Sequence, residues 1–280
     1  MPGAGPSRAP DMSAPRSGNY PIERRQGEIE RLRLQAAALA ADAAIMLDRI
    51  EVGAGWRCLD LGCGPGGITD LLTERVGATG RVVGLDADPV FLEHARRRIH
   101  RAEFVEGDAY ASGLPGGSFD LVHMRFIAGT AGGPERLLAE AMRLARPGGI
   151  VALQEPDIAT LNCHPPHPAW DRLRSALDAA FTAVGADVRV GQRLFALARH
   201  AGLEDVQYRP VLIGVRAVDP MVDYLPSTAE SLRAAVIARG LMREPEFDRA
   251  LAECRAHLAD PDTVFTMYTV AQVWGRKPPV

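Results

Sequence analysis

The segment Trp56-Arg57-Cys58-Leu59-Asp60-Leu61-Gly62-Cys63-Gly64-Pro65-Gly66-Gly67 carries the clearest chemical signal in this chain. A short apolar run holding one acid breaks into Gly62, Gly64, Gly66 and Gly67. Glycine is needed where the backbone must take positive φ or let a ligand approach closely. Where such a turn opens a helix, backbone N–H groups point at the ligand. Gly62, Gly64 and Gly67 fit the G-x-G-x-x-G of dinucleotide sites, a weak signal by itself. Asp60, Gly62, Gly64 and Gly66 fit a second pattern, D-x-G-x-G-x-G.

Two further acids stand where such a ligand would lie. Asp86 ends the second apolar run, 20 residues after Gly66. An acid there accepts hydrogen bonds from ribose hydroxyls, whichever nucleotide is bound. Asp88-Pro89 just beyond it supplies a helix N-cap with proline at the first helical position, which frees Asp86 and Ala87 for the ligand. Gly107-Asp108-Ala109 ends the third run, where an acid can accept from an adenine amino group.

These residues need a frame that brings strand ends to one edge. Arg81–Leu85, Ala102–Val105, Phe119–Met124 and Ile150–Gln154 read as strands after the first one. Between them lie helical patterns: Ile68, Leu71, Leu72 and Val76; Phe91, Leu92, Ala95 and Ile99; and a segment from Pro134 to Ala145. Strand and helix alternate five times, which predicts a parallel sheet covered on both faces, an α/β doubly wound Rossmann-like core over residues 51–155. Ligands then sit beyond the carboxyl ends of the strands. Residues 1–18 read as a disordered tail. Over 19–50, Ile29, Leu32, Ala36, Leu39, Ala43, Met46 and Ile50 keep a 3,4 spacing, so one helix lies on the core, closes as a lid, or forms a subunit contact. Residues 156–280 read as a helical insertion ahead of a sixth strand, Val206–Val215, then helices near 219–259 and a last strand, Val264–Trp274.

The ordered set of motifs resembles the class I S-adenosylmethionine (SAM) methyltransferases. It comprises Leu59-Asp60-Leu61-Gly62-Cys63-Gly64-Pro65-Gly66, Val83-Gly84-Leu85-Asp86, Phe104-Val105-Glu106-Gly107-Asp108-Ala109, Leu114-Pro115 with Ser118-Phe119-Asp120, and Arg143-Leu144-Ala145-Arg146-Pro147-Gly148-Gly149. The resemblance covers about residues 55–155. It implies a seven-stranded sheet with an antiparallel last strand and SAM as cofactor. Its cofactor-binding set here is Tyr20, Asp60, Gly62, Cys63, Gly64, Gly66, Asp86, Ala87, Gly107, Asp108, Ala109 and Met124. Tyr20, Glu30-Arg31-Leu32 and Gln35 also resemble the N-terminal helix of small-molecule methyltransferases from bacterial secondary metabolism, where an aromatic residue near the start of the helix faces the cofactor.

Methyl transfer needs a nucleophile aligned with the sulfonium and shielded from water. A general base helps for a hydroxyl or an amine and is dispensable for an electron-rich carbon. Arg125, just past the fourth strand, faces the expected substrate position. Glu155, at the end of the fifth strand, ranks first as base, ahead of Asp157, His123, His164 and His167. Many relatives carry a histidine five residues after that arginine; here Thr130 stands in its place. Trp170, Phe181, Tyr208 and Tyr224 would line an apolar acceptor pocket.

Charge and cysteines bound the rest. Lys and Arg number 32 against 35 Asp and Glu, a net of −3, which gives no electrostatic ground for nucleic acid or an anionic membrane as partner. Cysteines 58, 63, 163 and 254 form no C-x-x-C pair, so no metal site is expected and a reducing cytoplasm fits. No apolar run reaches a membrane span, and the N-terminus lacks an apolar signal segment. The expectation is a cytoplasmic SAM-dependent methyltransferase acting on a small-molecule acceptor, with a homo-oligomer through the N-terminal helix as one arrangement. The alternatives are SAM-fold chemistry other than transfer, such as cyclisation, an NAD-dependent oxidoreductase, and a non-catalytic SAM-binding regulator.

Overall fold

The N-terminal stripe divides into two helices at Leu39, whose backbone stands at φ −98° and ψ −1°. The structure, a computed structural model, describes residues 26–279. Tyr20 and the tail 1–18 lie outside the described residues. Helix α1 (Gln26–Ala38) is followed by α2 (Ala40–Ile50). Ala43, Met46, Leu47 and Ile50 of α2 are buried against the sheet, so the second half of the stripe is spent on the core.

The core then alternates as expected: β1 (Arg57–Leu61), α3 (Thr69–Val76), β2 (Arg81–Asp86), α4 (Pro89–Arg98), β3 (Glu103–Glu106) and β4 (Phe119–Arg125). Next come α5 (Ala128–Ala131), α6 (Pro134–Leu144) and β5 (Ala145–Asp157). Strand β5 begins earlier than the apolar run because Gly148 and Gly149 exchange backbone hydrogen bonds with Lys277 near the C-terminus. Asp88 caps α4, its Oδ1 accepting from Val90 N–H at 2.9 Å.

The second half reads β6 (Asn162–His164), α7 (Pro168–Thr182), α8 (Leu194–His200), β7 (Glu204–Val211), β8 (Gly214–Arg216), α9 (Tyr224–Ser231), α10 (Arg233–Ala238), α11 (Glu244–Leu258), β9 (Val264–Thr266) and β10 (Thr269–Arg276). The large sheet has seven strands in the order β3-β2-β1-β4-β5-β10-β7, and β10 runs antiparallel to both its neighbours. The seven-stranded Rossmann-like fold with an antiparallel last strand is therefore present.

Two sequence expectations change here. Val206–Val215 and Val264–Trp274 are not single strands. Each is divided between the large sheet and a three-stranded sheet, β6-β9-β8. The breaks lie side by side, with Met267 N–H donating to Ile213 C=O at 2.9 Å. The helices of the second half stand on both sides of the sixth strand, as read from sequence: α7 and α8 precede β7, and α9–α11 fall between β8 and β9. Together the small sheet and helices α7 and α9–α11 enclose a second hydrophobic core around Trp170, Phe247 and Phe265.

The period-2 alternation of strands assigns side chains to faces. Leu59, Val122, Met124, Val151, Leu153 and Val273 face α6 and α8. Cys58, Val82, Leu121, Ala152 and Trp274 face α2 and α3. This parity decides which candidate residues can reach a ligand.

Candidate functional site

The strand ends of β1, β2 and β4, helix α1 and the cap, meaning the second core of residues 158–268 built on α7, α9–α11 and the small sheet, enclose a cavity of about 350 Å³. Its strand-end wall carries Asp60, Gly62, Cys63, Gly64, Asp86, Ala87, Asp108 and Ala109, all expected from sequence. Gly62, Gly64 and Gly66 have φ of 75°, 52° and 89°, which a branched residue adopts only with strain. A Cβ on Gly62 or Gly66 would lie 2.5 Å from Ile127 Cδ1 or Ile99 Cδ1. A Cβ on Gly64 would meet nothing within 4 Å. Gly62 and Gly66 therefore serve packing, whereas Gly64 leaves open space on the cavity wall.

The acids are fixed before any ligand arrives. Asp86 accepts from Gly64 N–H at 2.8 Å and from Asp88 N–H at 2.9 Å, so it ties the glycine turn to the start of α4. Burial pushes its carboxyl above the ordinary aspartate range, against the pull of those two donors. Asp108 accepts from Tyr110 N–H at 2.9 Å. Cys63 is buried, which raises its thiol well above the usual value and leaves it a packing residue.

Asp60 ends a directional polar row across the buried middle of the sheet. Its Oδ2 accepts from Thr69 Oγ1 at 2.7 Å, and its Oδ1 meets His123 Nδ1 at 3.0 Å. His123 Nε2 meets Gln154 Nε2 at 2.9 Å. Gln154 Oε1 accepts from Gln272 Nε2 at 2.9 Å, and Gln272 Oε1 accepts from Arg209 Nη1 at 2.9 Å. Arg209 pairs with Asp42 of α2. A guanidinium only donates and a carboxylate only accepts, so the direction of each bond between them is set. His123 is thereby the Nδ1–H tautomer, and it orients Asp60 instead of lining the cavity.

Besides Gly66, which packs on Ile99, three expected residues do not line the cavity. Gly107 turns the chain against Leu85 and does not line the wall. Met124 is fully buried on the α6 side of the sheet. Glu155 is also buried, and its position next to Gln154 in β5 puts it on the face opposite that polar row. Its carboxylate accepts from Ile127, Ala128 and Gly129 N–H at 3.1, 2.9 and 2.9 Å, so it caps the start of α5. Burial outweighs these donors and raises its carboxyl to about 7. Glu155 is thus a holder of the β4–α5 turn, not the base expected from sequence. The other base candidates lie elsewhere too. Asp157 caps the turn at Ile158, His167 caps α7 and stacks on His257, and His164 is exposed beside Asn162.

Arg125 does reach the cavity. It lines the wall beside Gly67, where a Cβ would lie 2.2 Å from Nη2. Its Nη1 is buried without a hydrogen-bond partner. The next residue, Phe126, has φ of 58°, strained backbone for a bulky side chain, and Thr130 Oγ1 hydrogen-bonds to its C=O. That kink ends β4 and turns Phe126 and Ile127 into the wall.

The opposite wall is built from distant segments. Helix α1 supplies Arg31, Leu32 and Gln35, and Arg31 is paired with Glu28. The cap supplies Ile158, Leu161, Leu177, Phe181, Val188, Tyr224 and Thr228. Tyr268, from the point where the chain changes sheets, is buried and accepts from Gln35 Nε2 at 2.6 Å. Tyr224 lies 3.4 Å from it, oxygen to oxygen. Phe181 and Tyr224 were expected here. Trp170 instead packs on Phe265 in the cap core, and Tyr208 lies exposed on β7. Sequence reading missed Tyr268 and Phe126; the only local signal for Tyr268 was a polar tip within an apolar run.

The family described as Methyltransferase domain matches residues 59–153. A trans-aconitate 2-methyltransferase of Methylobacterium nodulans is 31% identical over 239 residues, 78% of this chain and 86% of that protein. The chain belongs to the class I SAM-dependent methyltransferases. Another trans-aconitate 2-methyltransferase, from Paracidovorax citrulli, is 38% identical over 113 residues, 40% of this chain and 43% of the relative. Alignments at 37–38% identity span only 34–45% of the relatives they match. Among solved structures, a SAM-dependent methyltransferase from Aquifex aeolicus superposes with a TM-score of 0.52 at 16% identity, over 89% of this chain and 99% of that one. Haemonchus contortus phosphoethanolamine N-methyltransferase 2 in complex with S-adenosyl-L-methionine gives 0.53 at 17%, over 85% and 52%. These likenesses are of fold. Among the described residues no helix is long and apolar enough to cross a membrane, and no group of three metal-ligating side chains occurs.

Proposed function

We propose that this chain transfers the methyl group of SAM to a small-molecule acceptor held between the glycine turn, helix α1 and the cap. The observation that carries the reading is one continuous cavity, polar and acidic at the strand ends and apolar under the cap. The residues fit the cofactor: Gly64 leaves space where any side chain would intrude, and three acids converge around it. Asp86 would hold the ribose, Asp108 and Ala109 the adenine, and Asp60 with the glycine turn the amino-acid end. When bound, SAM supplies a methyl carbon on a sulfonium, an electrophile that needs no activation by the protein.

The chain's own residues then have three tasks. Leu177, Phe181, Val188 and Phe126 remove water from the acceptor side. Arg31, Gln35, Tyr224 and Tyr268 set the orientation of its polar groups. Arg125 places a positive charge at the boundary of the two halves. Among the described residues lining the cap side there is no carboxylate or imidazole. This favours an acceptor whose attacking atom carries no proton, over a hydroxyl that needs a base. The relatives act, by name, on trans-aconitate; an acceptor from secondary metabolism is the narrower form of this proposal.

Calorimetry with SAM, S-adenosylhomocysteine and NAD tests the cofactor, and mass analysis of products from candidate acceptors tests transfer. Binding of both sulfur nucleotides with no NAD binding, and a gain of one methyl mass, is the expected result. Saturable NAD binding without SAM binding would overturn the reading. Binding without methylated product across acceptors would favour a SAM-binding regulator, and a product altered without the methyl gain would favour cyclisation.

A further inference from the structure

Arg125 is the side chain in the cavity whose bonding is unfinished. Its Nη1 is buried with no hydrogen-bond partner, and no ion pair joins the guanidinium to any described acid. The other arginine on the wall, Arg31, has Glu28 at 2.7 Å. Phe126 stacks loosely below Arg125, with its ring centroid 5.9 Å from Cζ. The surroundings make room for the group: Gly67 carries no side chain, and any Cβ there would lie 2.2 Å from Nη2. An isolated charge away from water is costly, and a structural arginine normally ends on a carboxylate or on carbonyls. Asp60 lies on the same face but its oxygens already receive Thr69 and His123. The guanidinium thus reaches the cavity wall with hydrogen-bonding capacity at Nη1 that no described residue takes up. A carboxylate matches that unused capacity, since arginine donates N–H bonds to carboxylates in preference to neutral acceptors.

We propose that Arg125 is a carboxylate-binding residue, and that the loaded site seats one ligand carboxylate on its guanidinium. The inference rests on the methyltransferase reading and deepens it. Two sources supply the same chemistry. One is the α-carboxylate at the amino-acid end of the cofactor, since Arg125 borders Gly67 at the end of the glycine turn. The other is a carboxylate on the acceptor, whose oxygen needs no base, in keeping with a cap wall that offers none. Either way Arg125 holds charge and orientation; it takes no proton.

The test compares the wild-type full-length chain with Arg125→Gln and Arg125→Lys by calorimetry. The first arm titrates S-adenosylhomocysteine and 5′-methylthioadenosine, which share the adenosine and thioether but differ in the amino-acid carboxylate. The second arm titrates trans-aconitate, phenylacetate and hexanoate, each against its amide, into the chain saturated with S-adenosylhomocysteine. If the cofactor is the source, Arg125→Gln weakens S-adenosylhomocysteine by about 10- to 100-fold and leaves methylthioadenosine unchanged, with partial recovery in Arg125→Lys. If the acceptor is the source, both nucleosides bind the variant as before, and the preference for a carboxylate over its amide is lost. Equal weakening of both nucleosides, or no selective loss in either arm, overturns the proposal. Wild-type chain that binds neither nucleoside would instead sink the methyltransferase reading on which it stands. Thermal melting of each variant separates misfolding from lost recognition.

Discussion

The two walls of the cavity are made in different ways. On the strand-end wall, ligand-facing groups come from one stretch, residues 60–109, and each acid is tied to backbone N–H groups or to a buried side chain a few residues or one strand away. On the cap wall, the residues range from Arg31 to Tyr268, and the link between its parts is a side-chain contact, Gln35 to Tyr268, across 233 positions. The first wall is a preset cradle, since backbone geometry fixes it wherever the turn forms. The second depends on two hydrophobic cores docking correctly, and it is the wall that can vary between acceptors without disturbing the cofactor. Stability and recognition therefore separate differently on the two sides.

The sharpest way to break that comparison is Gly64→Val. A Cβ there meets no protein atom within 4 Å, so the main cost to the folded state is the strain of positive φ, about 1–3 kcal/mol. Affinity for S-adenosylhomocysteine should fall by about 100-fold or more, because the branch fills the cradle. Gly62→Val should do the reverse, lowering the melting temperature first, since its Cβ would lie 2.5 Å from Ile127 Cδ1. Equal losses of stability in the two variants would mean that Gly64 is a packing glycine as well.

Deleting residues 1–35 probes the other wall. It removes Arg31, Leu32 and Gln35 from the cavity but leaves α2 in the core. Transfer should drop by about tenfold or more through loss of closure over the reacting groups, while cooperative melting persists. Loss of the melting transition would make α1 a structural layer, and full activity would remove it from the site.

Asp86→Ala should act on both properties. Losing its hydrogen bonds to the ligand should weaken S-adenosylhomocysteine by about 1.5–3 kcal/mol. The variant also leaves Gly64 and Asp88 N–H without their acceptor, so the melting temperature should fall by about 2–6 °C. Affinity unchanged in calorimetry would reduce Asp86 to a brace for the turn.

Glu155→Gln should have the smallest effect on binding and a visible one on pH dependence. The folded chain holds a proton on Glu155 that the unfolded chain releases between 4.5 and about 7, so this group makes stability fall as pH rises through that window. Denaturant melts at pH 5, 6 and 7 should show that fall in the wild type and a flatter series in the variant. The variant should also be less stable by about 1–3 kcal/mol at pH 5, where an amide replaces an acceptor for Gly129 N–H. Parallel pH series for the two proteins would show that Glu155 is ionised throughout.

Much of the fold was readable because its signals are local. Asp60, the three positive-φ glycines, Asp86 and Asp108 follow from strand-end acids and turn geometry, each settled within a few residues. Glu155 misled because strand-end position says nothing about face: the alternation is visible in sequence, but its phase relative to the cavity depends on how β5 pairs with β4 and β10. Tyr208 and Trp170 misled in the same way, since an aromatic in an insertion can point to solvent, to the cap core or to the ligand. The break in Val264–Trp274 was hidden because both of its halves are strand-like, and only the presence of a second sheet tells the chain to turn at Met267 and Tyr268.

By itself the sequence determined the alternating core, the glycine cradle, the three acids around it and the helix stripe over residues 29–50. Backbone sterics, capping and short-range hydrophobic period decide those, and they act between near neighbours. Tertiary structure alone decided that Arg125 Nη1 ends without a hydrogen-bond partner among the described residues, that Glu155 is spent on α5, and that His123, Gln154, Gln272 and Arg209 line up behind Asp60. Those outcomes depend on strand register and on which face meets which core. They are set by contacts between residues far apart in the chain, for which no local pattern exists.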